Sequence, residues 1–208
     1  MTNHPKDFNE ELIVSLSKSN KISKRIHLPI QSGSNRILKL MNRQYTREDY
    51  LEKVKLLRKY IPDVAITTDI MVGFPTETEE DFQDTLNLVK EVEFAGAFTF
   101  VYSKRNGTPA SKMEGQIPEE VSKKWIMQLI DCQNEINKKQ SIEYLDKTIE
   151  VLCEGFDDKK NLYLGRDTYG RMAYFEGRTG LIGRFVDVKI IKTGGISLVG
   201  KVVKVKSK

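Results

Sequence analysis

Cysteine and histidine each occur only twice in these 208 residues, and tryptophan once. Cys132 and Cys153 lie far apart with no second thiol or histidine close by, which excludes a metal motif of ordinary spacing and a disulfide framework. Both are expected to be reduced and structural. His4 stands near the terminus and His27 falls inside a strand-like run, neither with an evident acid or nucleophile partner in the sequence. No G-x-S-x-G elbow, G-x-x-x-x-G-K-[ST] phosphate loop or H-E-x-x-H zinc helix is present. Long apolar runs are missing too. None approaches the roughly 20 residues of a spanning helix, and the opening MTNHPKDFNEEL lacks the charged and apolar regions of a signal peptide. The expectation is a cytoplasmic protein with no membrane association.

What is present fits a soluble chain of one large or two small domains, 39% hydrophobic and 30% charged. The net charge of +5 is unevenly divided. Residues 147–208 carry 13 Lys and Arg against 7 Asp and Glu, a net of +6, leaving the preceding residues near neutral. Such asymmetry fits a polyanion-binding module on a neutral body, and equally a solvated lysine-rich surface.

Periodicity divides the chain at the same place. Up to residue 146, strand-like runs alternate with amphipathic helices, the pattern of an α/β domain with parallel strands. "RIHLPI" reads as the first strand, and "QSGS" after it either as a turn in which Ser34 caps a helix or as the mouth of a ligand site. Thr46 can cap a helix bearing Tyr50, Val54, Leu57 and Ile61 on one face, stopped by Pro62. "VAITTDIMVGF" reads as a strand covered on both faces. The next helix buries Phe82, Leu86 and Val89, and Thr76 with Glu79 reads as its capping box. "GAFTFVYS" is the third strand. A long helix from about Pro118 to Tyr144 carries Val121, Trp125, Leu129, Cys132 and Ile136 as a core stripe. Beyond Asp146 the period becomes two: Ile149, Val151 and Cys153, then Val186, Val188 and Ile190. Gly194-Gly195 marks a hairpin, and strands this short predict a compact barrel. Phe185, like most alternating aromatics of a small barrel, is expected in its core.

Ligands collect at the carboxyl ends of parallel strands. There the sequence sets Gln31, Ser32, Gly33 and Ser34, then Gly73 to Glu77, then Tyr102 to Gly107.

Taken together, "IHLPIQSGSNRILKLMNRQYTREDY", "ITTDIMVGFPTETEEDF", "FTFVYSKRNGTPASKM" and the terminal "YLGRDTYGRMAYFEG" with "LIGRFVDVKI" resemble the C-terminal half of the tRNA methylthiotransferases, a family of radical S-adenosylmethionine enzymes. The resemblance covers essentially the whole chain. It implies a half radical-SAM TIM-like α/β barrel in residues 1–146, followed in residues 147–208 by a small all-β barrel of TRAM type that binds RNA. It also implies transfer of a methylthio group to C2 of the isopentenylated adenosine beside the anticodon, through a 5′-deoxyadenosyl radical. Relatives acting on threonylcarbamoyl-adenosine or on a ribosomal protein, and a non-catalytic RNA-binding module, are the alternatives.

By the same resemblance, Gln31 and Ser32 face the ribose or amino-acid end of S-adenosylmethionine, Gly73 and Phe74 admit and pack its adenine, and Glu77 shapes that loop. Ser103 and Arg105 sit where the last strand meets cofactor or substrate. Arg166, Arg171, Arg178 and Arg184 are the RNA candidates, among Tyr163, Tyr169, Tyr174 and Phe175. The complete enzyme uses two four-iron, four-sulfur clusters, whose cysteine ligands are absent from this sequence, so no metal ligand is assigned. The implied partners are the tRNA anticodon stem-loop and the missing N-terminal half of the enzyme. Without that half, "RIHLPI" is expected to be an open edge prone to association.

Overall fold

Hydroxyl side chains set where most helices of the N-terminal unit begin. In the computed structural model, which describes residues 4–206, Asn9 caps α1 (Glu10–Ser17), Ser34 caps α2 (Asn35–Leu40) and Thr46 caps α3 (Arg47–Tyr60). Thr78 caps α4 (Glu79–Val92). Each accepts a hydrogen bond from an amide of the first turn that has no carbonyl to meet. Around α3 and α4 the bond is returned, Asp49 accepting from the Thr46 amide and Asp81 from that of Thr78. The expected box at Thr76 and Glu79 is therefore displaced by two residues. Thr76 lies instead in left-handed backbone, φ 68°, and donates its N–H to the Gly115 carbonyl at 2.7 Å. An aspartate at the third position makes the reciprocal bond that the sequence pattern assigns to glutamate.

Two compact units are present, one built on Ile26–Gln133 with the N-terminal segment, the other on residues from Asn134 onward with Ser23–Arg25. In the first, β1 (Arg25–His27), β2 (Ala65–Val72) and β3 (Gly96–Val101) form a sheet in that order. β2 and β3 run parallel, Thr67 facing Gly96 and Val72 facing Val101. "RIHLPI" is a regular strand only through His27, because Pro29 has no N–H to offer a ladder. The chain still tracks β2, with Leu28 N–H donating to Thr67 O at 2.8 Å and Gln31 N–H to Asp69 O at 2.9 Å.

One face of β2 supplies Ile66, Thr68, Ile70 and Val72, all buried, to a core that includes Tyr50, Val54 and Leu57 of α3 and Phe82, Leu86 and Val89 of α4. The opposite face is less covered than the continuous apolar run predicts. Asp69 and Met71 are half-buried, and Phe98 and Phe100 beside them on β3 are 54% and 49% exposed. α5 (Glu119–Ile142) buries Trp125, Leu129 and Ile136, while Cys132 of the expected stripe is half-buried. The Trp125 ring stacks on Phe82 at 5.2 Å and donates Nε1–H to Glu79 at 2.8 Å.

The second unit contains β4 (Thr148–Asp157), β5 (Leu162–Arg166), β6 (Met172–Glu176), β7 (Phe185–Thr193) and β8 (Ser197–Val205), closed in the order β4-β5-β6-β8-β7. Among the described strands of this barrel β6 and β8 pair in parallel and the other neighbours antiparallel. Val151, Cys153, Ala173, Phe175, Val186, Val188, Ile190 and Leu198 fill the interior. Phe185 does not join them: it is 50% exposed. It stands one residue before inward Val186, so the strand's alternation overrides the apolar character of the ring.

Candidate functional site

The first two strand-end loops are stitched together by buried polar groups. Ser32, fully buried, lies with Oγ 3.4 Å from Thr85 Oγ1 and accepts from the Ser34 amide; Gly33 N–H donates to Thr85 Oγ1 at 2.9 Å. Ser34 donates its hydroxyl to Asp81 at 2.6 Å. Arg36 forks onto the Asp81 carboxylate and also donates to the Thr76 carbonyl at 2.6 Å. Burial alone raises the proton affinity of Asp81, but its bonds from Arg36, Ser34 and Thr78 hold it well below the usual carboxylate range. At Gly33 a Cβ would lie 2.5 Å from the Asp84 carbonyl oxygen and 2.6 Å from Thr85 Cα. The small polar residues after the first strand thus let the loop lie against α4.

The second loop is shaped by Glu77. Its Oε2 accepts from Gly73 N–H at 2.5 Å and Phe74 N–H at 3.0 Å, while its buried Oε1 has no partner among the described residues. Burial pushes its carboxyl up to about 7, against those two backbone bonds. Gly73 has φ 77°, and a Cβ there would sit 2.4 Å from Ser122 Oγ. Phe74, 5% exposed, meets Tyr102 edge to face at 5.4 Å, and the buried Tyr102 hydroxyl is also unpartnered among the described residues. Aromatic rings, a glycine turn and two orphaned polar atoms are a donor set that suits a nucleoside.

Iron clusters are another matter. The two cysteines lie in different units, and no group of three or more metal-ligating side chains exists among the described residues. These residues do not fit a cluster.

One constellation escapes sequence reasoning. On the open face of the sheet, His27 Nδ1 lies 3.0 Å from Thr67 Oγ1 and its Nε2 3.4 Å from Asp69 Oδ1, with Phe98 edge-on at 5.9 Å. His27 does have an acid partner, 42 positions away in sequence and on the neighbouring strand. The signal was alternation: Thr67 and Asp69 share one face of β2, and two residues from one strand can reach one side chain of the next.

Of the other expected residues, Gln31 is half-buried in left-handed backbone, φ 74°, and bridges to Ile70; Ser103 and Arg105 are exposed on the loop after β3. In the barrel, Arg166 pairs with Glu154. Arg171 lies over the Tyr144 ring at 4.9 Å and donates to Gly195 O and Gln140. Arg178 and Arg184 are exposed. Tyr163 and Phe175 are buried and stacked on each other at 6.1 Å, whereas Tyr169 and Tyr174 are half-buried.

Residues 1–89 match the Radical SAM superfamily and residues 143–203 the TRAM domain. The tRNA-2-methylthio-N(6)-dimethylallyladenosine synthase of Clostridium botulinum (strain Langeland / NCTC 10281 / Type F) is 50% identical over 202 residues, 97% of this chain and 45% of that protein. Proteins of the same name from Clostridium novyi and Acetivibrio thermocellus are each 48% identical, over 98% of this chain and 45% and 42% of theirs. The chain therefore spans about half the length of these curated relatives. Among solved structures, coproporphyrinogen III oxidase from Escherichia coli, a radical SAM enzyme, aligns over 90% of this chain and 43% of its own with a TM-score of 0.54 at 18% identity, a likeness of fold alone. With its partial radical SAM fold and closed β-barrel, the chain carries a Radical SAM superfamily segment and a TRAM domain, and along nearly its whole length it is similar to about half the length of these tRNA methylthioadenosine synthases.

Proposed function

We propose that this chain works as the C-terminal part of a tRNA-2-methylthio-(isopentenyl)adenosine synthase, transferring a methylthio group to C2 of the modified adenosine beside the anticodon. The observation that carries this reading is half-identity along 97% of the chain to proteins named for that reaction. The functional division falls at 146/147, catalytic half-barrel before and RNA-binding barrel after, in a cytoplasmic enzyme. Because the residues present do not fit a cluster, cluster chemistry requires thiolates from outside this sequence, and the chain alone is inactive.

S-adenosylmethionine, when bound, supplies the methyl group and the radical that activates C2. The chain's own residues hold it. Gly73 and Phe74 pack its adenine, the free Oε1 of Glu77 and the Tyr102 hydroxyl offer polar contacts, and Gln31 faces the ribose or amino-acid end. Buried Ser32 acts beside it by fixing the loop on Thr85. Exposed Ser103 and Arg105 meet substrate, an arginine suiting a phosphate or carboxylate because its fork pairs two oxygens. Arg166, Arg178 and Arg184 meet the anticodon stem-loop, and Arg171 adds positive potential while contacting Tyr144.

The test is a fusion of this chain to the preceding half of the Clostridium botulinum relative, with clusters reconstituted. Mass spectrometry of digested tRNA should show 2-methylthio-isopentenyladenosine with the fusion and none with the chain alone. A cluster-loaded fusion that leaves tRNA unmodified, or modifies threonylcarbamoyl-adenosine or ribosomal protein instead, overturns the assignment.

A further inference from the structure

We propose that the outer face of the barrel around Phe185 is a stacking platform for unpaired bases of single-stranded RNA, an inference that rests on the RNA-binding reading of the barrel given above. The starting observation is a contrast. Tyr163 and Phe175 are 9% and 0% exposed, yet Phe185 is 50% exposed. Its neighbours extend the surface. Leu152 of β4 pairs with Phe185 of β7 on one side and with Arg166 of β5 on the other. Paired residues of an antiparallel ladder point to the same face, so a ring, a half-buried leucine and a guanidinium lie side by side across three strands. At roughly 4.8 Å per strand, ring and guanidinium stand about 10 Å apart. Both are planar groups on which bases stack.

The connection before Phe185 supplies the charge. Leu181, 4% exposed, anchors it in the barrel core; Gly183 N–H donates to Cys153 O at 2.8 Å, and Cys153 N–H to Arg184 O at 2.9 Å. This fixed backbone presents Arg178, Ile182 (59% exposed) and Arg184. Neither Arg178 nor Arg184 has an ion-pair partner among the described residues. The acidic groups nearby are ion-paired, Glu154 with Arg166, and Glu150 and Asp187 both with Lys206. A flat apolar patch edged by unpaired arginines, within residues 147–208 of net charge +6, complements an anion that offers planar faces. Duplexes hide those faces, which leaves unpaired RNA.

Fluorescence anisotropy of the whole 208-residue chain with a labelled, unstructured seven-nucleotide oligoribonucleotide, over a salt series, tests this. Phe185→Ala should weaken binding about tenfold with an unchanged salt slope, Phe185→Trp should keep it, and Phe185→Leu should not. Arg178→Gln with Arg184→Gln should instead flatten the logarithmic salt slope by about 1.4, two phosphate contacts on a single strand. Melting curves confirm that each variant is folded. Parental binding by Phe185→Ala overturns the platform while leaving the RNA reading intact. Equal rescue by Leu and Trp also overturns it, indicating an apolar protein contact. Failure of the parent chain to bind at low salt removes the RNA-binding reading itself.

Discussion

Gly33 and Glu77 show how single residues hold the strand-end loops. A Cβ at position 33 would meet backbone of α4, at 2.5 Å from Asp84 O and 2.6 Å from Thr85 Cα, which yields only if the helix moves. Gly33→Ala is therefore expected to cost on the order of 2 kcal/mol, read from the urea midpoint; a midpoint unchanged by the substitution would mean that loop and helix are not held together. Glu77 predicts a pH effect. Its carboxyl is pushed from 4.5 to about 7, so the folded chain keeps a proton that the unfolded chain releases between those values. Its contribution is full below about pH 4.5 and disappears as pH rises through 7. Glu77→Gln stays neutral throughout. The stability difference between parent and Glu77→Gln should shift against the parent from pH 5 to pH 8, and a constant difference would place the Glu77 carboxylate in contact with water. The role of Gly33 was not legible in sequence. Its strand-end position was, but Thr85, which meets it, lies 52 positions away, and Ser122, which meets Gly73 of the Glu77 loop, lies 49 positions from that glycine.

At the scale of elements, Arg36 on α2 joins two loops by reaching Asp81 on α4 and the Thr76 carbonyl. Arg36→Ala should cost about 1 kcal/mol near neutral pH, discounted because the arginine side chain is 46% exposed. The sign with pH is opposite to that of Glu77. Asp81 is held below its ordinary value, so its contribution is present above about pH 4 and is lost as pH falls further. The Arg36→Ala deficit should shrink in acid, as urea midpoints at pH 7 and pH 3 would register; a deficit that grows in acid contradicts the pairing. The start of α4 lies two residues beyond the expected box because Thr76 and Thr78 both satisfy the local pattern, and the left-handed backbone at Thr76 decides between them.

For the whole molecule, the three-stranded sheet has β1 and β3 as its two edges, with Phe98 and Phe100 exposed on the latter. Unpaired edges and exposed aromatic faces drive association. The isolated chain should sediment as a concentration-dependent mixture, and Phe98→Lys with Phe100→Glu should shift it toward monomer. Fusion to the preceding half of the Clostridium botulinum relative should do the same without any substitution. A parent chain that is monomeric at every concentration would show that these surfaces are not adhesive.

Local rules fixed a good part of this protein from sequence alone: the stripe of Tyr50, Val54 and Leu57, the alternation of Val186, Val188 and Ile190, the cap at Thr46, and the hairpin at Gly194. Each depends on spacing of a few residues, so periodicity and hydrogen-bond chemistry suffice to read it. Tertiary structure decided the rest. Register between β1 and β2 set His27 against Thr67 and Asp69, the packing of α4 made a glycine necessary at 33, and barrel closure turned Phe185 outward. Those outcomes depend on which distant backbone arrives beside a residue, and that is settled only when the whole chain has packed.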